Sequence, residues 1–185
     1  MANLTCWHMT ELPTEIVEII ERDVQKYDEY TKDSEVRGEQ VDKVIRNSRN
    51  SWIPSSNWIG GWLWYYIDRI NRENFCYDLT DIDACTIQYT QYGPGQFYNW
   101  HQDEGLEGLD KEKCRKLSVV LQLSSPEEYT GGEFQLLNER SHLYMAPKKR
   151  GTLIVFDSRT RHRVRPVHSG IRKSLVGWIV GPRWR

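Results

Sequence analysis

Apolar residues recur at three- and four-residue steps between about Leu12 and Asp28, where Ile16, Val17, Ile20 and Val24 share one side and Pro13 stands in the first turn. That spacing predicts an amphipathic helix. The stretch from Glu29 to Asp42 is polar and contains Gly38, which predicts an exposed loop, with a lid over a site as the alternative. Val44, Ile45, Trp52 and Ile53 flank the polar run Arg46-Asn-Ser-Arg-Asn-Ser51, an extended segment ending before Pro54. Trp58, Trp62, Tyr65, Tyr66 and Ile70 then keep helical spacing, with Ser55 or Ser56 as the cap, and this aromatic stripe is expected to pack into the core.

From Asp83 onward the pattern changes to short β-branched and aromatic runs bounded by Gly, Pro, Ser and Asn. Strands are predicted at about 84–90, 96–103, 116–123, 132–137, 142–145, 151–156, 161–167 and 172–180. Eight short strands after two helices predict a mainly β fold with flanking α-helices, closed or double-sheeted in the manner of a jelly roll. No internal repeat or low-complexity linker divides the 185 residues, and 38% of them are hydrophobic, so a single domain over 1–185 is expected. Within it, helices occupy about 11–75 and the β core about 84–182.

Charge narrows the partners. Twenty-five basic and 26 acidic residues leave a formal net charge of -1, without the electrostatic footprint of a duplex-DNA binder. No run approaches the roughly 18 apolar residues of a membrane span, and the first residues lack a basic segment followed by an apolar one, so the expected location is the cytoplasm and no membrane partner is expected. Cys6, Cys76, Cys85 and Cys114 have neither C-x-x-C nor zinc-ligand spacing and read as reduced thiols.

The candidate chemistry lies in Tyr92 to Asp103 and far downstream at His162 and Arg172. If Phe97 to Asp103 is extended, His101 and Asp103 project from one face with Cα atoms roughly 7 Å apart. With His162 they form two imidazoles and one carboxylate, the ligand set of non-heme Fe(II) oxygenases with open coordination positions. Arg172, ten residues beyond His162, offers a planar cationic fork suited to two-point binding of a carboxylate; an internal Asp or Glu is the alternative partner. His8, near the terminus, His142, in a strand, and His168, in a turn, read as surface or structural residues. Trp100 is expected to pack, and Trp178 to be a core tryptophan, with a pocket wall as the alternative.

These motifs resemble the Fe(II)- and 2-oxoglutarate-dependent dioxygenases, and within them the prolyl-hydroxylase group of prolyl 4-hydroxylase type. The pattern Tyr-x-x-Gly-x-x-Tyr-x-x-His-x-Asp is met by Tyr92, Gly95, Tyr98, His101 and Asp103. Gly131-Gly-Glu-Phe134, Gly151-Thr-Leu-Ile-Val-Phe-Asp157, His162-Arg-Val-Arg-Pro-Val167 and Gly170-Ile-Arg-Lys-Ser-Leu-Val-Gly-Trp178 continue it, so the resemblance covers about residues 84–182 and more loosely the Arg46 to Trp52 segment. It implies a double-stranded β-helix (jelly roll, cupin-like) with Fe(II) held by His101, Asp103 and His162. It also implies O2 and the cosubstrate 2-oxoglutarate, whose 5-carboxylate is held by Arg172 and the Tyr92 hydroxyl, with ascorbate supporting activity. Ser174 resembles the serine of relatives with Arg-x-Ser and implies a further donor to that carboxylate. Collagen-type prolyl 4-hydroxylases usually carry Lys where this chain has Arg172, so the match is better to the oxygen-sensing and bacterial hydroxylases.

The implied reaction hydroxylates a C–H bond while 2-oxoglutarate is decarboxylated to succinate and CO2, with a prolyl residue of a protein or peptide as the favoured substrate. Arg46, Arg49, Arg161 and Arg163 are candidates to face a substrate groove, together with the segments Glu29–Asp42 and Glu104–Lys113; a solvated surface is the favoured reading of each arginine. Hydroxylation of a free amino acid or small metabolite stays open as an alternative. Nucleic-acid demethylation is disfavoured by the charge, and a non-catalytic cupin-like domain would require the motif to arise by coincidence.

Overall fold

The structure is a computed structural model and describes residues 6–34, 45–104 and 112–184. Most of the Glu29–Asp42 loop and of the Glu104–Lys113 stretch therefore lies outside the described residues. Strand β1 (Trp7–Glu11) precedes helix α1 (Thr14–Val24), which passes into a 3-10 turn at Gln25–Tyr30. Pro13 stands at the N-cap of α1, and Val17, Ile20 and Val24 form its buried stripe. Strands β2 (Lys32–Asp33), β3 (Arg46–Asn47) and β4 (Arg49–Pro54) follow, then helix α2 (Trp58–Ile70) with a π-turn at Asn71–Phe75. The cap of α2 is Asn57, whose side chain accepts from the Ile59 N–H at 3.0 Å; neither Ser55 nor Ser56 caps it as expected.

The stripe expected to pack into the core does so only in part: Ile70 is buried and Trp62 and Tyr66 pack half-buried against the core, whereas Trp58 and Tyr65 do not. The buried face of α2 is Ile59, Gly60, Leu63, Ile67 and Ile70, while Trp58 and Tyr65 are exposed and Trp62 stacks on Tyr66 at the margin. Aliphatic residues at four-residue steps make the narrower ridge that seats on a sheet, and a Cβ at Gly60 would come within 2.0 Å of the Ser55 carbonyl oxygen, so this face closes onto the preceding turn.

The remaining strands are β5 (Asp81–Ile82), β6 (Thr86–Tyr92), β7 (Phe97–His101), β8 (Lys113–Gln122), β9 (Tyr129–Gly131), β10 (Phe134–Leu137), β11 (Leu143–Met145), β12 (Thr152–Asp157), β13 (His162–Val164), β14 (Val167–Gly170) and β15 (Arg172–Pro182). The predicted strand 161–167 is interrupted after Val164, beside Pro166, which has no N–H for a ladder, and its second part pairs elsewhere. His142 precedes β11 rather than lying within a strand, and His168 lies in β14 rather than a turn; both are exposed.

Eight strands form one antiparallel sheet in the order β1-β12-β8-β15-β6-β4-β2, with β5 on β15, and five form another in the order β11-β10-β13-β7-β3. Alternation along β12 shows how the layers join. Leu153 and Val155 enter a core shared with α1 and α2, whereas Ile154 and Phe156 enter a second core with Phe134, Leu136 and Val164 of the smaller sheet. Covered on both faces, β12 reads as a continuous apolar run. This is the double-stranded β-helix, or jelly roll, with flanking helices, its sheets antiparallel and open at their edges. The candidate residues sit between the two sheets.

Candidate active site

Strands β7 and β13 are antiparallel neighbours, and His162 lies directly opposite His101. Two histidines 61 positions apart in sequence become a cross-strand pair with ring centroids 4.1 Å apart. Asp103 reaches them differently from the extended run expected. The strand ends at His101, the chain bends, and the Asp103 N–H donates to the Ser158 carbonyl at 2.9 Å. With this bend Asp103 Oδ1 lies 3.6 Å from His101 Nε2 and Oδ2 3.4 Å from His162 Nε2.

Each imidazole is oriented by a backbone carbonyl two residues before it: His101 Nδ1 lies 2.7 Å from the Asn99 oxygen and His162 Nδ1 2.9 Å from the Thr160 oxygen. A carbonyl only accepts, so Nδ1 carries a proton in each ring and both Nε2 atoms face Asp103. Burial, reinforced by neighbouring His162, pushes the His101 pKa down to about 3, which keeps the ring neutral. Burial alone would raise the Asp103 pKa, but the two histidines, Arg115 and the Ser118 hydroxyl outweigh it and hold the carboxyl at about 2. A neutral His101 ring and an ionised Asp103 carboxylate are protonation states that metal binding requires.

Aromatic rings fix these groups. Tyr98 stacks on His101 at 3.5 Å, and Phe156 meets His162 edge-on at 4.8 Å. Ser118 donates to Asp103 Oδ2 at 2.7 Å, and Ser158 lies 3.0 Å from Ser118. The turn before His162 supplies three acceptors: Ser158 to Asp103, Arg159 to the Gln102 side chain, and Thr160 to His162. Ser118 and this turn carry no sequence signal beyond lying in the matched segments.

At the β15 side of the cleft, Arg172 and Tyr92 are cross-strand partners, and the guanidinium stands 5.5 Å from the Tyr92 ring centroid. Arg172 is only 1% exposed. It donates to Gln122 Oε1 at 2.8 Å and to Ser174 Oγ at 3.5 Å, and no carboxylate among the described residues lies within ion-pair distance of it. The Gly-Gly-Glu motif packs over it: Gly131 and Gly132 both have positive φ, and a Cβ at Gly132 would come within 2.9 Å of Val167 and 3.3 Å of the Arg172 Cδ.

Arg46, Tyr98 and Trp178 complete the lining. Of the four arginines considered for a groove, Arg46 is the one buried in it: it covers the Tyr98 ring at 4.7 Å and donates to Ser48 and Asn50. The solvated reading is corrected there because β3 pairs with β7 and sets Arg46 opposite Tyr98. Arg49 and Arg161 are exposed, and Arg163 covers Trp100, which packs as expected. Trp178 is buried, lines the cleft and meets Trp52, which is 51% exposed, at 6.3 Å.

The donor set fits a divalent ion with open positions. All three ligand atoms lie within 4.8 Å of one another, and an octahedral ion with bonds of about 2.1 Å holds neighbouring ligands about 3 Å apart. The rest of the cleft fits an acceptor-rich anion, since Arg172 Nε and Gln122 Nε2 are buried donors without a partner among the described residues.

Comparison with known proteins agrees with this chemistry. A family model described as the 2OG-Fe(II) oxygenase superfamily matches residues 87–180. A PKHD-type hydroxylase of a Synechococcus sp. is 38% identical over 97 residues, covering 51% of this chain and 42% of that protein. One from Parvibaculum lavamentivorans is 36% identical over 93 residues, covering 50% and 41%. The match thus spans less than half the length of these relatives. Among solved structures, a Pseudomonas putida prolyl-4-hydroxylase superposes with TM-score 0.74 at 24% identity over 96% of this chain and 93% of its own. A Trichoplax adhaerens prolyl hydroxylase in complex with a hypoxia inducible factor oxygen degradation domain peptide fragment gives 0.77 at 16% identity, over 94% and 83%. These two share the fold.

Proposed function

The chain belongs to the 2OG-Fe(II) oxygenase superfamily, and on that premise we propose that it hydroxylates a prolyl residue of a protein or peptide, with His101, Asp103 and His162 holding Fe(II) and Arg172, Tyr92 and Ser174 holding 2-oxoglutarate. The observation that carries this reading is the convergence of two imidazole Nε2 atoms and one carboxylate beside a buried arginine that has no carboxylate partner among the described residues. Bound Fe(II), with 2-oxoglutarate and O2, supplies the oxidant, releasing succinate and CO2 and leaving a hydroxyl on the substrate carbon.

The protein's part is binding, orientation and exclusion of side reactions. Three ligands on one side leave positions for a chelating cosubstrate and O2. Arg172 gives the cosubstrate a fixed anchor by two-point hydrogen bonding to its distal carboxylate, which Ser174 can share. The Asn99 and Thr160 carbonyls hold both imidazoles in one tautomer throughout. Trp178 and Trp52 present aromatic faces on which a compact, donor-free pyrrolidine ring can pack. Arg46 can donate to a carbonyl of the same substrate. The relatives named hydroxylases support the reading.

Incubation of the protein with Fe(II), 2-oxoglutarate and proline-rich peptides should release succinate and add 16 Da at proline. Product confined to a free amino acid, whose carboxylate Arg46 could also bind, would overturn the prolyl reading. Arg46→Ala should raise the substrate KM about tenfold, the loss expected when a charged hydrogen-bond donor is removed, while the KM for 2-oxoglutarate stays unchanged. Equal effects on both KM values would remove Arg46 from substrate binding.

A further inference from the structure

A β-bulge in β8 carries a consequence for the site. One step along β15, from Ile179 to Val180, corresponds to two along β8, from Leu117 to Arg115, so Lys116 is an extra residue. In a regular strand Arg115 would share the face of Leu117, which lies in the core beneath the helices. The bulge turns it to the other face, where Ser118 and Trp178 lie. There the guanidinium makes three contacts. Its plane covers the Trp178 ring at 4.2 Å, its Nε and Nη2 donate to Asp83 Oδ2 at 2.7 and 2.6 Å, and its Nη1 donates to the Asp103 carbonyl at 3.4 Å.

We propose that Arg115 is a positioning residue, aimed by this bulge so that it holds the Asp103 backbone and the Trp178 wall as one unit. The inference rests on the metal-site reading above. Asp103 is otherwise restrained at its N–H by Ser158 and at Oδ2 by Ser118. The Glu104 N–H, in the peptide plane of the Asp103 carbonyl, also donates to the Ser158 oxygen at 3.2 Å, and Arg115 holds the carbonyl end of that plane. Asp83, 5% exposed, anchors the guanidinium by a charge-assisted pair, so the fork cannot swing to solvent without leaving a buried carboxylate unpaired. A substrate ring packed on Trp178 therefore bears on the group that holds a metal ligand.

The test uses Co(II) alone, titrated into wild-type, Arg115→Gln, Arg115→Lys and Asp83→Asn proteins and followed by tryptophan fluorescence, with melting temperatures recorded. Substitution of a residue that orients a metal ligand is expected to weaken Co(II) binding about tenfold. Lysine should not rescue it, because it keeps the charge and loses the planar fork. The Asp83→Asn effect should not add to that of Arg115→Gln in the double variant, since both break one unit. In turnover, the Arg115 variants should form more succinate than hydroxylated product. Wild-type binding with both Arg115 variants within about twofold of it, and with unchanged coupling, would overturn the proposal whatever their melting temperatures. Wild-type protein that binds no Co(II) would instead overturn the metal site, and this proposal with it.

Discussion

Asp103→Ala is expected to abolish turnover and Fe(II) binding together. Asp103 is the anionic group of the three and the one that both imidazoles face, at 3.6 and 3.4 Å. Its removal leaves two imidazole nitrogens and deletes the negative charge that attracts the cation. Because changes to groups that only orient a ligand already cost about 10- to 100-fold, loss of the ligand itself should bring activity below about one-hundredth of wild type. An anaerobic titration with Fe(II) and 2-oxoglutarate should show the chelate charge-transfer band in wild-type protein and none in the variant. A variant that retained the band would mean that the carboxylate does not bind iron. The variant should keep its fold, since Ser118 loses one partner while Ser158 stays within 3.0 Å of its hydroxyl.

Arg172 should show opposite signs in binding and stability. Arg172→Lys keeps the charge and loses the two-point geometry, so the 2-oxoglutarate KM should rise about ten- to a hundredfold, equivalent to about 1.5–3 kcal/mol of charge-assisted hydrogen bonding. The substrate KM should change little. Arg172→Met should eliminate cosubstrate binding and yet leave the melting temperature of the cofactor-free protein unchanged or raised. The reason is desolvation: a buried cation without a carboxylate partner costs free energy that an apolar chain of similar length does not. Against this stands the loss of the charge-assisted Gln122 hydrogen bond, worth about 1.5–3 kcal/mol. For a chain of this length each kcal/mol moves the melting temperature by about 2–4 °C. A fall well beyond that, measured without ligands, would show that Arg172 is held for the fold rather than for an anion.

The two helices show where a linear pattern can be misread. Helical spacing in α2 is legible, but the four aromatic residues Trp58, Trp62, Tyr65 and Tyr66 satisfy the same period as the buried ridge of Ile59, Leu63, Ile67 and Ile70. Period alone does not say which of two apolar stripes meets the sheet; the close approach of Gly60 to Ser55 decides it. Strand β1 was missed for a related reason. Its residues are only half-buried, and it exists as a strand because β12 offers it a free edge.

The sequence by itself determined the residue types of the site and the alternation of buried positions, because side-chain identity and short spacing are local properties. His101, Asp103, His162 and Arg172 are readable as candidates in that way, whereas Tyr92 and Ser174 enter through the resemblance to the 2-oxoglutarate dioxygenases. Only the tertiary structure decided that β13 lies against β7, that the chain bends after His101 to bring Asp103 back, and that the Asn99 and Thr160 carbonyls set both tautomers. It alone showed that Arg172 has no carboxylate within reach among the described residues, and that a one-residue bulge turns Arg115 toward the cleft. Each of these depends on which strand neighbours which and in what register. Such pairing is set by packing between residues far apart in the chain, so no local pattern encodes it.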